Sequence, residues 1–445
     1  MSEWFFRTMS RGEHNVDPIQ SEFFSTEAID GLTEALVRES IQNSLDATPS
    51  GTTARIRFWH SGLDHALTVG SPYLSGLESH LHAEGNGLTS VPNLENGTPF
   101  LLIEDFGTHG LLGDPGQDND TGVKNDFYYF WRNVGRSGKK ESDRGRWGLG
   151  KNVFPASSLI NTFLGFTIRH GNPAALLLGQ SVLKVHELAG CRKYPYGYFG
   201  NVNPTGGFAL PFTDESTLGR FRTDFHLWRM VETGLSIVVL FPDPEITETG
   251  ILKAVLRQYF YPIMKGTLCV SVTKNGTEIE VSDATLDTLV ESMDESFRAE
   301  IEAMLKLAKW SLAVDAPTST KQPAPSLAPK WETDSISADI VSILRPEFEK
   351  GSRLAFEVPV TVKRHDLAEQ QSFFRVFLER DLDMQSDRPM FVREGLIITD
   401  AVKKPFVTKH NVTSASQVGN CFVALCSADL TKKGLRRRPG SMWRR

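Results

Sequence analysis

The sequence predicts an α/β protein of two domains, with the boundary near residue 245. Three observations carry the prediction. The chain has 445 residues, and a domain usually holds roughly 100–200. Up to residue 245, segments of helical period alternate with short apolar runs of strand type. Beyond it a hairpin signal, a helical stretch and a second set of strand runs begin a new series. Hydrophobic residues make up 40% and charged residues 23% of the chain, enough apolar content for a large core without disulfide or metal staples.

The elements follow in order. Residues 1–25 carry Trp4, Phe5, Phe6, Phe23 and Phe24 and read as an arm. In 29–47, Ile29, Leu32, Leu36, Val37, Ile41 and Leu45 recur at three- and four-residue steps, which predicts a helix. Ala54, Ile56 and Phe58 alternate as in a strand. Residues 83–99 form a loop rich in Gly, Asn and Ser, and Phe100 to Glu104 is a short strand delivering Asp105. The glycine-rich stretch 107–151 encloses one helical piece, Asp126 to Val134. Strands are expected at 161–168, 177–187 and Leu235 to Phe241, where Pro242 ends the run. Residues 250–263 read as helix, Asn275-Gly276 as a hairpin turn, and 284–312 as one long helix. Four prolines in 316–329 mark a linker spanning about 315–330. Strand runs return at 354–363, 373–379 and 390–399, and the chain closes on a basic tail, 431–445, containing Lys432, Lys433, Arg436, Arg437 and Arg438. The second domain is thus expected over 246–430.

Composition narrows the function. A net charge of −6 argues against a wholly basic nucleic-acid coat and leaves room for a local basic surface. The four cysteines form no CxxC pair and stand in no zinc-type spacing with histidine. Few cysteines in a long chain suit a reducing cytoplasm. No run of about 18 apolar residues predicts a membrane span.

Four segments carry candidate chemistry. In Glu34-Ala-Leu-Val-Arg-Glu39-Ser-Ile-Gln-Asn43-Ser-Leu-Asp46, Glu39 and Asn43 lie one helical turn apart on one face. The Asn43 amide oxygen suits Mg²⁺, a hard cation that takes oxygen ligands. Glu39 suits a base that deprotonates water attacking a γ-phosphate. The same pattern equally suits a solvated helix face. In Leu101-Leu-Ile-Glu-Asp105-Phe-Gly107-Thr-His-Gly110, a strand-end carboxylate is placed to accept a hydrogen bond from the exocyclic amine of adenine, with glycines letting the backbone approach a flat base. An ordinary turn explains that segment as well. No His-Arg-Asp loop precedes it, which excludes a protein kinase.

The third segment joins Gly135-Arg-Ser137-Gly138-Lys-Lys140 to Gly145-Arg-Trp-Gly148-Leu149-Gly150-Lys151-Asn152. Glycine-freed N–H groups and lysine charge make an anion nest. Gly145 to Lys151 has the GxxxxGK spacing of a phosphate loop. Yet Asn152 replaces the required Ser or Thr, and charged residues replace the preceding strand, so that reading is rejected. The fourth segment, Glu232-Thr-Gly234-Leu-Ser236, opens a buried strand.

In this order and spacing the four segments resemble the nucleotide motifs of GHKL ATPases, the class of MutL, the microrchidia ATPases and the type II gyrase subunits. The resemblance implies a Bergerat-type ATP-binding domain over 26–245, a mixed sheet covered by helices, followed by a transducer-like α/β domain. It implies Glu39 as general base and Asn43 as magnesium ligand. Asp105 takes adenine, and Asp46, Gly107 and Gly110 stand with it among the cofactor-binding residues. A lid over about 107–150 brings Ser137, Gly138, Gly145, Gly148, Leu149, Gly150 and Lys151 to the phosphates. Ser236 stands where the class has threonine. Departures are one extra residue in Asp105-Phe-Gly107-Thr-His-Gly110, and Gly234-Leu235 in place of Gly-Thr. A transducer lysine is sought at Lys363, Lys403 or Lys404.

The expected function is Mg²⁺-dependent ATP binding and slow hydrolysis that closes the lid and drives homodimerisation. Expected partners are DNA and a nuclease or helicase, in a DNA-processing, restriction or anti-phage system. The glycine segments and Phe391-Val-Arg-Glu-Gly-Leu-Ile-Ile398 most resemble bacterial MutL- or microrchidia-type members. The alternative is a scaffold in which ATP sets assembly without being hydrolysed.

Overall fold

The computed structural model describes residues 4–18, 31–133, 150–203, 207–274, 276–320, 336–364, 367–380, 388–393, 396–397 and 422–428. These fall into two units, one holding the described residues up to 255 and 266–282, the other 256–265 and those from 283 onward.

The first unit is built on β1 (Trp4–Thr8), β2 (Ala54–His60), β3 (Phe100–Phe106), β4 (Thr162–Arg169), β5 (Asn172–Val182), β6 (His186–Leu188) and β7 (Cys191–Phe199). A small ribbon of β8 (Asn201–Asn203) and β9 (Phe208–Leu210) follows, then β10 (Gly234–Leu240), β11 (Leu268–Lys274) and β12 (Thr277–Val281). The large sheet runs β1-β7-β5-β4-β10-β3-β2-β11-β12, with β6 on β7. It is mixed: β2 and β11 pair in parallel, and the other neighbours are antiparallel.

Helices flank the sheet. They are α1 (Leu32–Asp46), α2 (Glu78–Leu81), α3 (Asp126–Trp131), α4 (Val153–Ala156), α5 (Glu215–Asp224) and the first turns of α6 (Glu248–Met264). α1 packs on β2 and α4, and α4 on β4 and β5. Every residue of β3 and β4 is buried, as expected of strands covered on both faces. One core cluster joins Phe100, Leu102, Leu164, Phe166 and Leu240 of the sheet to Phe221 of α5, with Phe166 and Phe221 stacked at 5.9 Å. Gly165 is required for packing: a Cβ there would meet Trp131 at 2.7 Å, and Trp131 lies flat on Phe163 at 5.2 Å.

The second unit carries α7 (Leu286–Glu291), α8 (Glu295–Ala313) and α9 (Ala338–Glu349) with a six-stranded sheet. Its strands are β13 (Thr318–Ser319), β14 (Leu354–Arg364), β15 (Leu367–Arg380), β16 (Arg388–Arg393), β17 (Leu396–Ile397) and β18 (Phe422–Ala428), in the order β13-β14-β15-β18-β16-β17. α8 packs on β15 and β18, with Trp310 edge-on to Phe377 at 5.8 Å.

Both units are therefore α/β, and four sequence expectations are corrected. The N-terminal segment is in part a sheet strand: β1 pairs with β7 and buries Trp4 and Phe6. The boundary at 245 cuts too early, because the hairpin β11–β12 extends the first sheet through β2 and buries Val270 and Val272. The helix over 284–312 is two helices, since the Asp294 carboxylate caps α8 by accepting from Phe297 N at 3.0 Å. Phe422–Ala428 is a paired strand beyond the last expected strand run, which ended at 399. Residues 321–335 of the proline-rich segment, Lys403, Lys404 and the basic tail lie outside the described residues.

Candidate functional site

Helix α1 has no capping side chain of its own. Glu245 supplies the cap from a distant segment: its carboxylate accepts from Leu32 N at 2.6 Å, and its carbonyl accepts from Thr33 Oγ1 at 2.9 Å. Leu36, Val37 and Ile41 are fully buried, each contributing about 1.5–3 kcal/mol. Their burial sets the helix rotation. Ser40 and Ser44 then face inward, and Glu39 and Asn43 stand half-buried on the flank.

Asp105, at the end of β3, is only 8% exposed, and the protein holds it firmly. Its Oδ1 accepts from Thr108 Oγ1 at 2.8 Å and from Leu235 N at 2.8 Å. Its Oδ2 accepts from Ser44 Oγ of α1 at 3.2 Å. Burial pushes its pKa up, and Arg229 and these hydrogen bonds oppose that push. Arg229 is completely buried, 3.7 Å from Oδ1, and donates to the carbonyls of Asp105, Glu232 and Leu235. Gly234 has φ +143°, and a Cβ there would meet Asp105 O and Arg229 Nη1 at 2.6 Å. Only glycine suits this position. Among the described residues Oδ2 accepts only from Ser44, which leaves one lone-pair direction for a further donor.

Glu39 meets Gly150. A Cβ at Gly150 would collide with Glu39 Oε2, so the carboxylate rests directly against the glycine backbone. Arg38 pairs with Glu39 Oε1 at 3.3 Å. One turn on, the Asn43 amide has no hydrogen-bond partner among the described residues. Lys151 follows Gly150, and its Nζ donates to the carbonyls of Tyr129 and Asn133. Burial lowers its pKa to about 7.

The structure thus brings Glu39, Asn43, Asp105, Gly150 and Lys151 around the second half of α1. Gly107 has φ +77° and open space before it, with its N–H donating to Thr233 O at 3.1 Å. Gly110 is turned away from that space: a Cβ would meet Ile168 O at 2.5 Å, so the glycine serves packing on β4. Ser236 is also corrected. It is fully buried, donates to Glu104 Oε1 and accepts from Arg229 Nε, both at 3.0 Å, and faces no cleft. Asp46 is exposed at the end of α1. Ser137, Gly138, Gly145, Gly148 and Leu149 lie outside the described residues, as does the 134–149 part of the lid expected over about 107–150. Lys363 falls on β14 of the second unit.

Sequence reasoning missed Arg229, Thr108 and Ser44. Arg229 gives no signal, since a buried arginine reads like a surface one. Ser44 was within reach, being the inward neighbour of Asn43.

No protein-family model matches the chain, and no curated protein matches it. The chain is similar to two solved structures of an ATPase domain. One is the Aquifex aeolicus MutL ATPase domain carrying a lysine-to-asparagine mutation: 8% identity, 90% of this chain and 93% of that chain covered, TM-score 0.26. The other is the ATPase domain of the bacterial mismatch repair endonuclease MutL from Aquifex aeolicus: 9% identity, 92% and 100% covered, TM-score 0.22. Likeness at this level assigns no family. The side chains carry the functional case.

Proposed function

We propose that the chain binds Mg²⁺·ATP beside α1 and hydrolyses it slowly, as a GHKL-type ATPase with a Bergerat-like first unit and a transducer-like second unit. The supporting observation is the contact of Glu39 with Gly150, beside the amide of Asn43, which has no hydrogen-bond partner among the described residues. It joins the helix motif to the glycine motif, which the sequence alone places far apart. Asp105, fixed by Ser44, Thr108 and Leu235, offers its remaining lone pair to an adenine amine. Gly107 leaves room for the ring. Asn43 fits one coordination position of Mg²⁺, a cation that keeps several waters and is commonly bound through one or two protein oxygens plus phosphate. When bound, the ion offsets charge on the phosphates. Glu39 then takes the proton of the attacking water. Lys151, directly after Gly150, supplies positive charge beside the phosphates.

The resemblance extends the proposal to lid closure, ATP-dependent homodimerisation and a DNA, nuclease or helicase partner in DNA processing, restriction or phage defence. A second reading has one observation in its favour. Arg38 engages the Glu39 carboxylate at 3.3 Å, which ties it to a neighbouring side chain instead of leaving it to orient a water, so ATP binding alone would set assembly. Calorimetric titration with ATP tests the binding step. Wild type should bind only with Mg²⁺, and Asn43→Ala should lose about tenfold or more of that Mg²⁺-dependent affinity. Equal affinity for the two folded proteins would remove Asn43 from the site.

A further inference from the structure

The unusual feature outside this site is an aromatic cavity of about 320 Å³ at the β1–β7 end of the first sheet. Its size falls in the range of ligand pockets, roughly 300–1,000 Å³. Tyr194, Tyr196 and Tyr198 recur at period two along β7, so they share one face of the strand. Tyr194 and Tyr196 lie 5.9 Å apart. Phe208 of β9 stands in the same lining, with the Arg132 guanidinium 3.8 Å from its ring centre. Arg132 spends Nη2 on Ala209 O at 2.5 Å, and its Nη1 makes no hydrogen bond among the described residues. Arg7 lies over Tyr194 at 4.9 Å.

The charges in and around this cavity balance. Glu13 pairs with Arg7 at 3.0 Å, and Asp118 stands in the lining beside Arg132. A cation is disfavoured, because the Arg7 and Arg132 guanidiniums already stand in the lining and repel like charge. A bare phosphate would leave the aromatic walls unused and would face Asp118. A flat, neutral heterocycle with donors and acceptors on its edge satisfies every wall.

We infer that this cavity binds a nucleobase, stacked on the Tyr194–Tyr196 wall, with Arg132 donating and Asp118 accepting at the ring edge. The base arrives either in a single strand, where stacking on aromatic rings carries sequence-tolerant affinity, or as a free nucleotide. The inference stands apart from the ATPase proposal, since it uses none of the residues around α1.

The test is equilibrium binding to the full chain, without ATP, of a fluorescently labelled ten-nucleotide thymidine strand and of the four nucleoside monophosphates. At least one probe should bind wild type. Tyr194→Ala should weaken it about 5- to 150-fold, the weight of one stacked base, while Tyr194→Phe keeps the ring and the affinity. Thermal unfolding verifies that each variant is folded. Strand bound far above the monophosphates identifies the strand as source. Equal affinities identify the free nucleotide. No binding of any probe overturns the inference. So does binding that survives in folded Tyr194→Ala but is lost in Asp105→Asn, which assigns the ligand to the site beside α1.

Discussion

Arg229 holds Asp105 in place through its backbone carbonyl and shares its buried environment with Glu104 through Ser236. Removing one member of a buried charged network leaves the others unsatisfied, at about 3–5 kcal/mol. Arg229→Met should therefore lose roughly that stability in urea titration. A loss within the range of surface substitutions, about 0.5 kcal/mol, would show that the network does not support the fold. Gly150→Ala separates function from stability. The new methyl group displaces only the end of a flexible carboxylate, so the folded state should persist within about 1 kcal/mol while ATP turnover falls about tenfold or more. Unchanged turnover would detach Glu39 from Gly150. At this scale the sequence was partly legible. Residue type and spacing single out Glu39, Asn43 and Asp105, on which the proposed site rests, and the fold gathers them beside α1. Ser236 misled, because a hydroxyl beside a glycine looks the same whether it faces a cleft or a buried carboxylate.

Among elements, α3 and the turn after Gly150 are tied by Lys151, whose ammonium is held on the carbonyls of Tyr129 and Asn133. Its folded pKa of about 7 lies below the ordinary lysine value of 10.5. Between these values the unfolded chain binds more protons than the folded one, so this group makes stability rise with pH from about 7 toward 10.5. Lys151→Met should flatten that rise, read as the difference between wild-type and variant urea midpoints at pH 7 and pH 10. Parallel curves for the two proteins would contradict it. Periodicity made α1, β2, β3, β10 and the hairpin β11–β12 legible. It failed for β1 and β7. Their pairing spans most of the first unit, and β7 contains Pro195 and Gly197, which read as breakers. Gly197 is needed there because the Phe6 ring lies where a side chain would stand. α5 escaped notice because only Leu218 and Phe221 of its ten residues are buried.

For the whole molecule, the α/β class and the existence of two units follow from the alternation of periods along the chain. The position of the division does not, because β11 returns to pair with β2 after α6 has begun. Long-range pairing of this kind has no local signature. Among the described residues no helix is long and apolar enough to cross a membrane. The proposed activity rests on one carboxylate. The most direct measurement is steady-state phosphate release from Mg²⁺·ATP by wild type and Glu39→Ala, with nucleotide binding measured on the same samples. Wild type should release phosphate slowly, and Glu39→Ala should release it about 10²–10⁴-fold more slowly with binding retained. Equal release from the two proteins, with both folded and both binding ATP, would contradict the proposal.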